Sequence, residues 1–277
     1  MLSRKVKKNN GVISKIKEIK LSKRQEFVII TLFLTFFLII TQNMSSIWRF
    51  ISLFFLSFLA YFLSAFGLRE DLKKVEWFAL LILPLMFTIS LAVFYFLLPV
   101  RWLTRIPFAI LYAIGIYATL LVENIYNVAV NRSIQLLRVA HAVGFLITIT
   151  TLFLLFNTLF SFHLTSFYNL LFTLIIVFPL SLQALWAIKL TEESIGWDVF
   201  LLSIFFSLII GEAAFIISFW PLNAVLTSLF LSTAFYGLIG SGQLFLGKRL
   251  FRKNVIEYLQ VFLLIFILVL FTVNYRN

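Results

Sequence analysis

The 277-residue sequence has no cysteine, only two histidines, and a charged fraction of 12%. Without cysteine the chain can form no disulfide, no thiolate metal site and no cysteine nucleophile. The charged fraction is about half of the roughly 25% that is usual in soluble domains. These shortages exclude a water-soluble enzyme, a nucleic-acid-binding domain and a secreted disulfide-rich scaffold.

Apolar residues dominate the chain instead. They make up 62% of it, phenylalanine alone contributes 35 residues, and the mean hydropathy is +1.06. A helix of about 20 apolar residues crosses about 30 Å of hydrocarbon. The first apolar run covers residues 27–41, and eight more follow at 50–68, 77–98, 106–122, 140–161, 167–188, 199–219, 223–244 and 255–273. We predict an all-α, polytopic transmembrane bundle of nine spans, or eight if the short first run is re-entrant, which forms one domain over 27–277.

Residues 1–26 are predicted to form a separate basic segment. It carries nine lysines and arginines against two glutamates, and residues 12–23 have helical periodicity. One interpretation is an amphipathic helix that binds anionic lipids of the inner leaflet through these lysines and arginines. The other is a disordered tail that only sets the topology. The partner of this charge is the lipid bilayer in both cases, and no nucleic acid is predicted.

The distribution of positive charge predicts the orientation of the chain. With the N-terminus in the cytoplasm, the inner segments carry nineteen lysines and arginines and the outer segments carry four. This asymmetry is typical of multipass membrane proteins. The six tryptophans give a second, independent indication, because all of them fall at predicted span ends, where indole rings prefer to lie. They are Trp48, Trp102 and Trp220 at outer ends and Trp77, Trp186 and Trp197 at inner ends.

Glu212 is the first candidate functional residue, because it lies well inside the seventh apolar run. A carboxylate within a membrane is expensive, so we expect it to face protein or water rather than lipid. Arg101 and Arg105 are the nearest basic residues by predicted depth. These three residues form a candidate intramembrane polar site, for an ion, a proton or a substrate carboxylate. The alternative is a protonated or paired glutamate that holds helices together.

A second candidate is a polar cluster at the predicted inner face, between spans four and five. Glu123, Asn127 and Asn131 recur every four residues and therefore share one helical face. Arg138 and His141 follow and add basic groups. This cluster could line a cytoplasmic opening or bind phosphate or lipid head groups. The alternative is an interfacial amphipathic helix with its polar face in water, in which His141 only makes hydrogen bonds at a helix end.

No complete catalytic or cofactor-binding motif is present. The sequence contains no HExxH motif, no P-loop and no dinucleotide fingerprint. The two histidines are predicted on opposite sides of the membrane, so they cannot share a zinc ion. We therefore predict no metal and no cofactor, and the sequence favours a role other than an enzyme without deciding the question.

Two segments resemble an uncharacterised family of bacterial multipass membrane proteins that is associated with candidate-phylum bacteria. They are Phe94–Pro107, with the sequence FYFLLPVRWLTRIP, and Glu123–Phe145. The resemblance covers about the middle third of the chain. It implies a bacterial inner membrane location and supplies no catalytic residues, because the family has no assigned activity.

Three classes of function remain open. The first is a non-enzymatic interaction or assembly protein whose helices bind a partner membrane protein, with Glu212 paired in a dry bundle. The second is a small-solute or ion transporter, with a water-filled cavity that reaches Glu212. The third is a lipid-modifying enzyme, with a laterally open polar pocket. That pocket would combine Glu123, Arg138 and His141, or else Arg101, Arg105 and Glu212. The sequence favours the first class, largely by elimination.

Overall fold

The computed structural model describes residues 22–42, 44, 46–69, 76–98, 102–129, 136–190 and 195–274. Within these ranges the chain forms nine α-helices and no strand. The helices are α1 (Lys23–Gln42), α2 (Ser46–Leu68), α3 (Glu76–Leu97), α4 (Trp102–Ala129), α5 (Leu137–Ser161), α6 (Ser166–Trp186), α7 (Trp197–Ile217), α8 (Ala224–Leu246) and α9 (Arg252–Asn274). All nine are long and apolar enough to cross a membrane, so the predicted all-α bundle is confirmed. Most of the basic segment 1–26 lies outside the described residues, as do Arg101 and Asn131.

Two helices extend beyond the apolar runs that predicted them. Helix α1 begins at Lys23, four residues before the first apolar run, and continues unbroken to Gln42. It is therefore long enough to cross the membrane, which favours nine spans over eight. Helix α4 continues past residue 122 to Ala129 and so includes the polar residues that follow its apolar run. This extension decides where part of the predicted inner-face cluster lies.

The helices pack around α3, which contacts α1, α2, α4, α5 and α6. Of the apolar span of α3, 61% is buried inside the protein, the largest share among the nine described spans. Helix α8 joins the second half of the bundle, where it contacts α5, α6, α7 and α9. Among the described residues, α9 packs against α8 alone, and only 6% of its apolar span is buried inside the protein. The bundle therefore has a well-packed centre and a nearly bare helix at one side.

Hydroxyl side chains inside the spans bond back to their own helices. Thr88, Thr148 and Ser232 each donate to the carbonyl oxygen four residues earlier, at 2.7–2.9 Å. Hydrocarbon offers these groups no hydrogen-bonding partner, so a bond within the helix lets them lie in a transmembrane segment. In α8, Ser228, Ser232 and Thr233 likewise donate to carbonyl oxygens three or four residues earlier in the same helix.

Gly115 allows α3 and α4 to approach each other closely. A Cβ atom at this position would lie 2.1 Å from Cζ of Phe87, which is buried in α3. The Phe87 ring stacks on Tyr112 of α4, with the ring centroids 6.1 Å apart and the planes 8° from parallel. The absence of a side chain at Gly115 therefore makes room for an aromatic ring in the core.

We expect Gly115→Ala to lower the melting temperature of the purified protein. The added methyl group would displace the Phe87 ring from a packed core, and overpacking of this kind costs about 1–3 kcal/mol. The double variant Gly115→Ala with Phe87→Leu should recover part of the loss, because leucine leaves space for the methyl group. Thermal unfolding followed by tryptophan fluorescence measures both effects. Equal melting temperatures for wild type and Gly115→Ala would show that the two helices are not in close contact here.

Candidate functional site

The inner-face cluster begins with two polar side chains on α4. Glu123 is fully buried, and Asn127, one turn later, is 4% exposed. The Asn127 amide donates a hydrogen bond to the carbonyl oxygen of Leu68 at the end of α2, at 3.0 Å. The interpretation that this face lies in water as an interfacial helix is therefore wrong for these residues. The reason is that α4 continues through this segment and packs against α2 and α5.

Glu123 is held by an amide from a distant helix. Nε2 of Gln183, near the end of α6, donates to Oε1 of Glu123 at 2.9 Å. Glu123 Oε2, Gln183 Oε1 and the indole nitrogen of Trp186 are buried and have no hydrogen-bond partner among the described residues. Buried polar atoms are nearly always bonded, so this cluster is only partly satisfied. It therefore combines a buried carboxylate with hydrogen-bonding capacity that is not used within the chain.

Trp186 departs from its predicted surroundings. It is the last residue of α6, at a span end as predicted, but its side chain is only 1% exposed. The indole ring therefore packs inside the protein and does not anchor the helix in the lipid interface. The exposed rings of Trp48 and Trp197, at 60% and 71%, are free to take that role.

His141 connects the start of α5 to the end of α6. Its Nε2 lies 2.8 Å from the carbonyl oxygen of Ala187, and it must donate because a carbonyl oxygen only accepts. The His141 ring lies 5.4 Å from the ring of Tyr126, whose hydroxyl donates to the carbonyl oxygen of Ala140 at 3.2 Å. These contacts agree with a helix-end hydrogen-bonding role for His141. They tie three helices together beside the buried carboxylate.

Arg138 and His141 line a cavity of about 450 Å³. It lies between the starts of α5 and α9 and the C-terminal ends of α6 and α8. Its other polar lining residues are Gln243, Arg249 and Tyr258, which the sequence analysis did not single out. The signal that could have found Gln243 and Gln183 is an isolated amide inside an apolar run, since such residues seldom face lipid. Glu123 does not line this cavity. The structure thus divides the predicted cluster into a buried pair and a basic cavity.

The structure does not bring Glu212 and Arg105 together, and Arg101, the third residue of the predicted intramembrane site, lies outside the described residues. Glu212 is exposed on the surface of α7, and α7 makes no contact with α4, which carries Arg105. Arg105 instead lies close enough to Tyr95 of α3 to interact with it electrostatically. Glu212 therefore does not pack inside this chain, and the expectation that it faces a partner protein or water rather than lipid stays a prediction. The small residues beside it occupy the inward face of α7 and leave the carboxylate outside.

A smaller cavity, of about 220 Å³, lies at the opposite end of the bundle. It is lined by His163, Asn169 and Ser218, and the Asn169 amide donates to the Ser218 hydroxyl at 3.0 Å. That bond links the start of α6 to the end of α7. Within the described residues, no group of three or more histidine, aspartate or glutamate side chains is arranged to hold a metal ion.

These features define a multipass helical membrane protein with a buried carboxylate and a basic cavity at one end. The chain matches the family described as a protein of unknown function, DUF5656, over residues 61–272, and it belongs to that family. The predicted resemblance to an uncharacterised family is confirmed at this level, whereas the bacterial origin stays a prediction. No curated protein and no solved structure matches the chain significantly.

We expect Glu123→Gln to raise the melting temperature of the protein. An amide at this position keeps the oxygen that accepts from Gln183 Nε2, and its new N–H group can donate to Gln183 Oε1. It also removes the cost of burying an ionisable group without a charged partner. Each kcal/mol gained corresponds to about 2–4 °C in a domain of 150–250 residues.

The control for this experiment is Glu123→Leu, which is similar in size but leaves the Gln183 amide without an acceptor. It should lower the melting temperature, because an unsatisfied buried donor costs about 1–3 kcal/mol. A lower melting temperature for Glu123→Gln as well would mean that the second carboxylate oxygen makes an essential contact.

Proposed function

We propose that this protein is a non-enzymatic assembly component that binds another transmembrane protein through the face of α7 that carries Glu212. The observation that supports the proposal is a carboxylate exposed within an apolar span. We further propose that the protein lies in a bacterial inner membrane, with the N-terminus and its basic segment beside anionic lipids on the cytoplasmic side. The charge asymmetry of the sequence supports this orientation.

The exposed face of α7 is a continuous apolar stripe with the carboxylate inside it. Its members recur at intervals of three or four residues, the spacing of one face of a helix that packs against another. They are Leu201, Phe205, Leu208, Glu212 and Ile216, and the four apolar side chains are 47–61% exposed. A single polar residue within such a stripe commonly fixes the register of helix pairing.

The orientation of Glu212 is set by the inward face of α7. Ile210 and Ala214 are fully buried, and a Cβ atom on Gly211 would lie 2.9 Å from Cδ2 of Leu174 in α6. Because α6 and α8 hold α7 on these residues, rotation of the helix cannot turn the carboxylate inward without losing this packing. The exposed position of Glu212 is therefore a fixed property of the bundle.

The energetic cost of this position favours a partner. Glu212 lies five residues before the end of α7, about 7.5 Å from that end at 1.5 Å per residue. Insertion scales give about 2.5–3.5 kcal/mol for a charged side chain at the bilayer centre and less toward the interface, and charged residues within spans usually pair with others. A neighbouring helix that presents a cation or a hydrogen-bond donor at the same depth would remove this cost. The partner we propose is therefore a transmembrane helix with a polar or basic residue at the same depth in the membrane as Glu212.

The two alternative functions have less support. A transporter that uses Glu212 needs a cavity that reaches it. Among the described residues there are cavities of about 450, 320 and 220 Å³, and Glu212 lines none of these three. A lipid-modifying enzyme needs an acid and a base together, but Glu123 does not line the cavity that contains Arg138 and His141.

We expect a photo-crosslinking amino acid at Phe205 or Ile216 to capture a discrete partner in native membranes. The same amino acid at Phe36, which is 60% exposed on α1, should not capture it. Glu212→Leu should reduce the adduct severalfold, because the partner's polar group loses its counterpart. Glu212→Gln distinguishes the two kinds of partner, since an amide retains a hydrogen-bonding partner but not a cationic one. The readout is the adduct on a denaturing gel.

Two differently tagged copies of the protein distinguish a second copy of this chain from another protein in the same adduct. Equal adduct yields at Phe36 and Phe205 would contradict the proposal, because they would indicate random collisions in the membrane. An adduct that is unchanged in Glu212→Leu would also contradict it.

A further inference from the structure

The basic cavity at the predicted cytoplasmic end carries two arginines without a carboxylate. Arg138 at the start of α5 and Arg249 after α8 both line it, together with His141. No acidic side chain is among the described lining residues, and neither arginine forms an ion pair within the described part of the chain. Both arginines are exposed, and two positive charges at one concave site favour an anion. The cavity is therefore suited to an anion.

The backbone after α8 places Arg249 in this cavity. Lys248 adopts the left-handed conformation, with φ of 53°, and its N–H donates to the carbonyl oxygen of Phe245 at 3.0 Å. The Arg249 N–H donates to the carbonyl oxygen of Leu244 at 2.8 Å, which completes a Schellman motif. The motif reverses the chain at the helix end, so that Arg249 returns over α8. A residue other than glycine rarely adopts this backbone conformation. At Lys248 it places the following residue, Arg249, at the cavity.

The walls of the cavity are fixed by hydrogen bonds to the end of α6. Nε2 of Gln243 donates to the carbonyl oxygen of Ala184 at 2.9 Å, as His141 does to that of Ala187. Tyr258 of α9 closes the third side, and it fits only because position 240 is glycine. A Cβ atom on Gly240 would lie 2.6 Å from Cζ of Tyr258. The cavity is therefore a formed site with polar groups held in place.

An apolar groove adjoins this cavity and shares Tyr258 with it. Helices α7 and α9 both pack on α8 but do not touch each other, and a space of about 320 Å³ lies between them. Along α8 the groove reaches from Phe230 to Ser241, about 16 Å at 1.5 Å per residue. That length is about half of the ~30 Å hydrocarbon thickness, the depth of one leaflet. Its lining is almost wholly apolar, with side chains such as Ile209, Ala234 and Phe262.

We infer that the cavity and the groove together bind one lipid that carries an anionic phosphate head group. The phosphate lies between Arg138 and Arg249, whose planar guanidinium groups suit its oxygens. The hydrocarbon chain lies along α8 between α7 and α9. Basic pockets between transmembrane helices on the cytoplasmic side commonly take such head groups. The lipid is either a phospholipid of the inner leaflet or a polyprenyl phosphate, because both present this chemistry.

Native mass spectrometry of the purified full-length protein tests the inference with defined lipids. We expect phosphatidic acid to bind at least about tenfold more tightly than diacylglycerol with the same chains, because only the former offers charge-assisted hydrogen bonds. A polyprenyl phosphate measured beside it identifies which source of the phosphate the site prefers. Equal binding of phosphatidic acid and diacylglycerol by the wild-type protein would overturn the inference without any variant.

Two pairs of substitutions separate a specific site from general attraction to positive charge. The double variant Arg138→Gln with Arg249→Gln should weaken phosphatidic acid binding about tenfold or more. The matched control is Arg24→Gln with Arg69→Gln, which removes the same charge from two arginines that are also exposed at the same predicted end but do not line the cavity. The control should retain wild-type affinity within about twofold. Equal losses in both double variants would overturn the inference.

Gly237→Leu tests the groove independently of the cavity. A Cβ atom at Gly237 meets only Cβ of Tyr258, at an ordinary contact distance of 4.0 Å, so a larger side chain extends into the groove without a backbone clash. We expect this variant to weaken both phosphate lipids about tenfold and to leave binding of inorganic phosphate unchanged. Unchanged lipid affinity would show that the chain does not lie in the groove, and would overturn that half of the inference.

Discussion

Hydrocarbon offers no hydrogen bond to a polar side chain, and the arrangement of this bundle follows largely from that constraint. Inside the spans, hydroxyl groups bond back to their own helices. At the predicted cytoplasmic end, amide and imidazole groups reach further and bond to the last carbonyl oxygens of other helices, as Asn127 does to Leu68 and Gln243 to Ala184. The free carbonyl groups at helix ends thus become the attachment points that join α2 to α4 and α6 to α8.

Glu123 and Glu212 respond to this constraint in opposite ways. Glu123 is enclosed by α4 and α6 and shares a hydrogen bond with Gln183. Glu212 is exposed on α7, with the small residues of that helix turned toward α6. A buried carboxylate contributes to how one chain holds together, whereas an exposed one creates a demand that the chain cannot meet alone. The difference supports a structural role for the first and an external partner for the second.

The less packed half of the bundle is where ligands and partners have access. Helix α9 is attached through α8 only, so a groove stays open beside it, and the basic cavity lies at the end of that groove. Helix α7, which carries the exposed stripe, lines the same groove opposite α9. Membership of a family of unknown function assigns no activity to these surfaces. Their function is therefore inferred from the chemistry of the sites themselves.

Length and hydropathy already indicated the all-α class and eight or nine spans, because both are properties of each segment alone. The sequence also indicated that Glu123 and Asn127 share a face, since helical periodicity is local. Which face of each helix is buried was decided only by the tertiary structure. Apolar side chains suit lipid and protein interior equally, so periodicity does not distinguish the two in a membrane. Local periodicity therefore could not show that Glu212 lies on the outer face of α7, or that Arg249 joins Arg138 and His141 in one cavity.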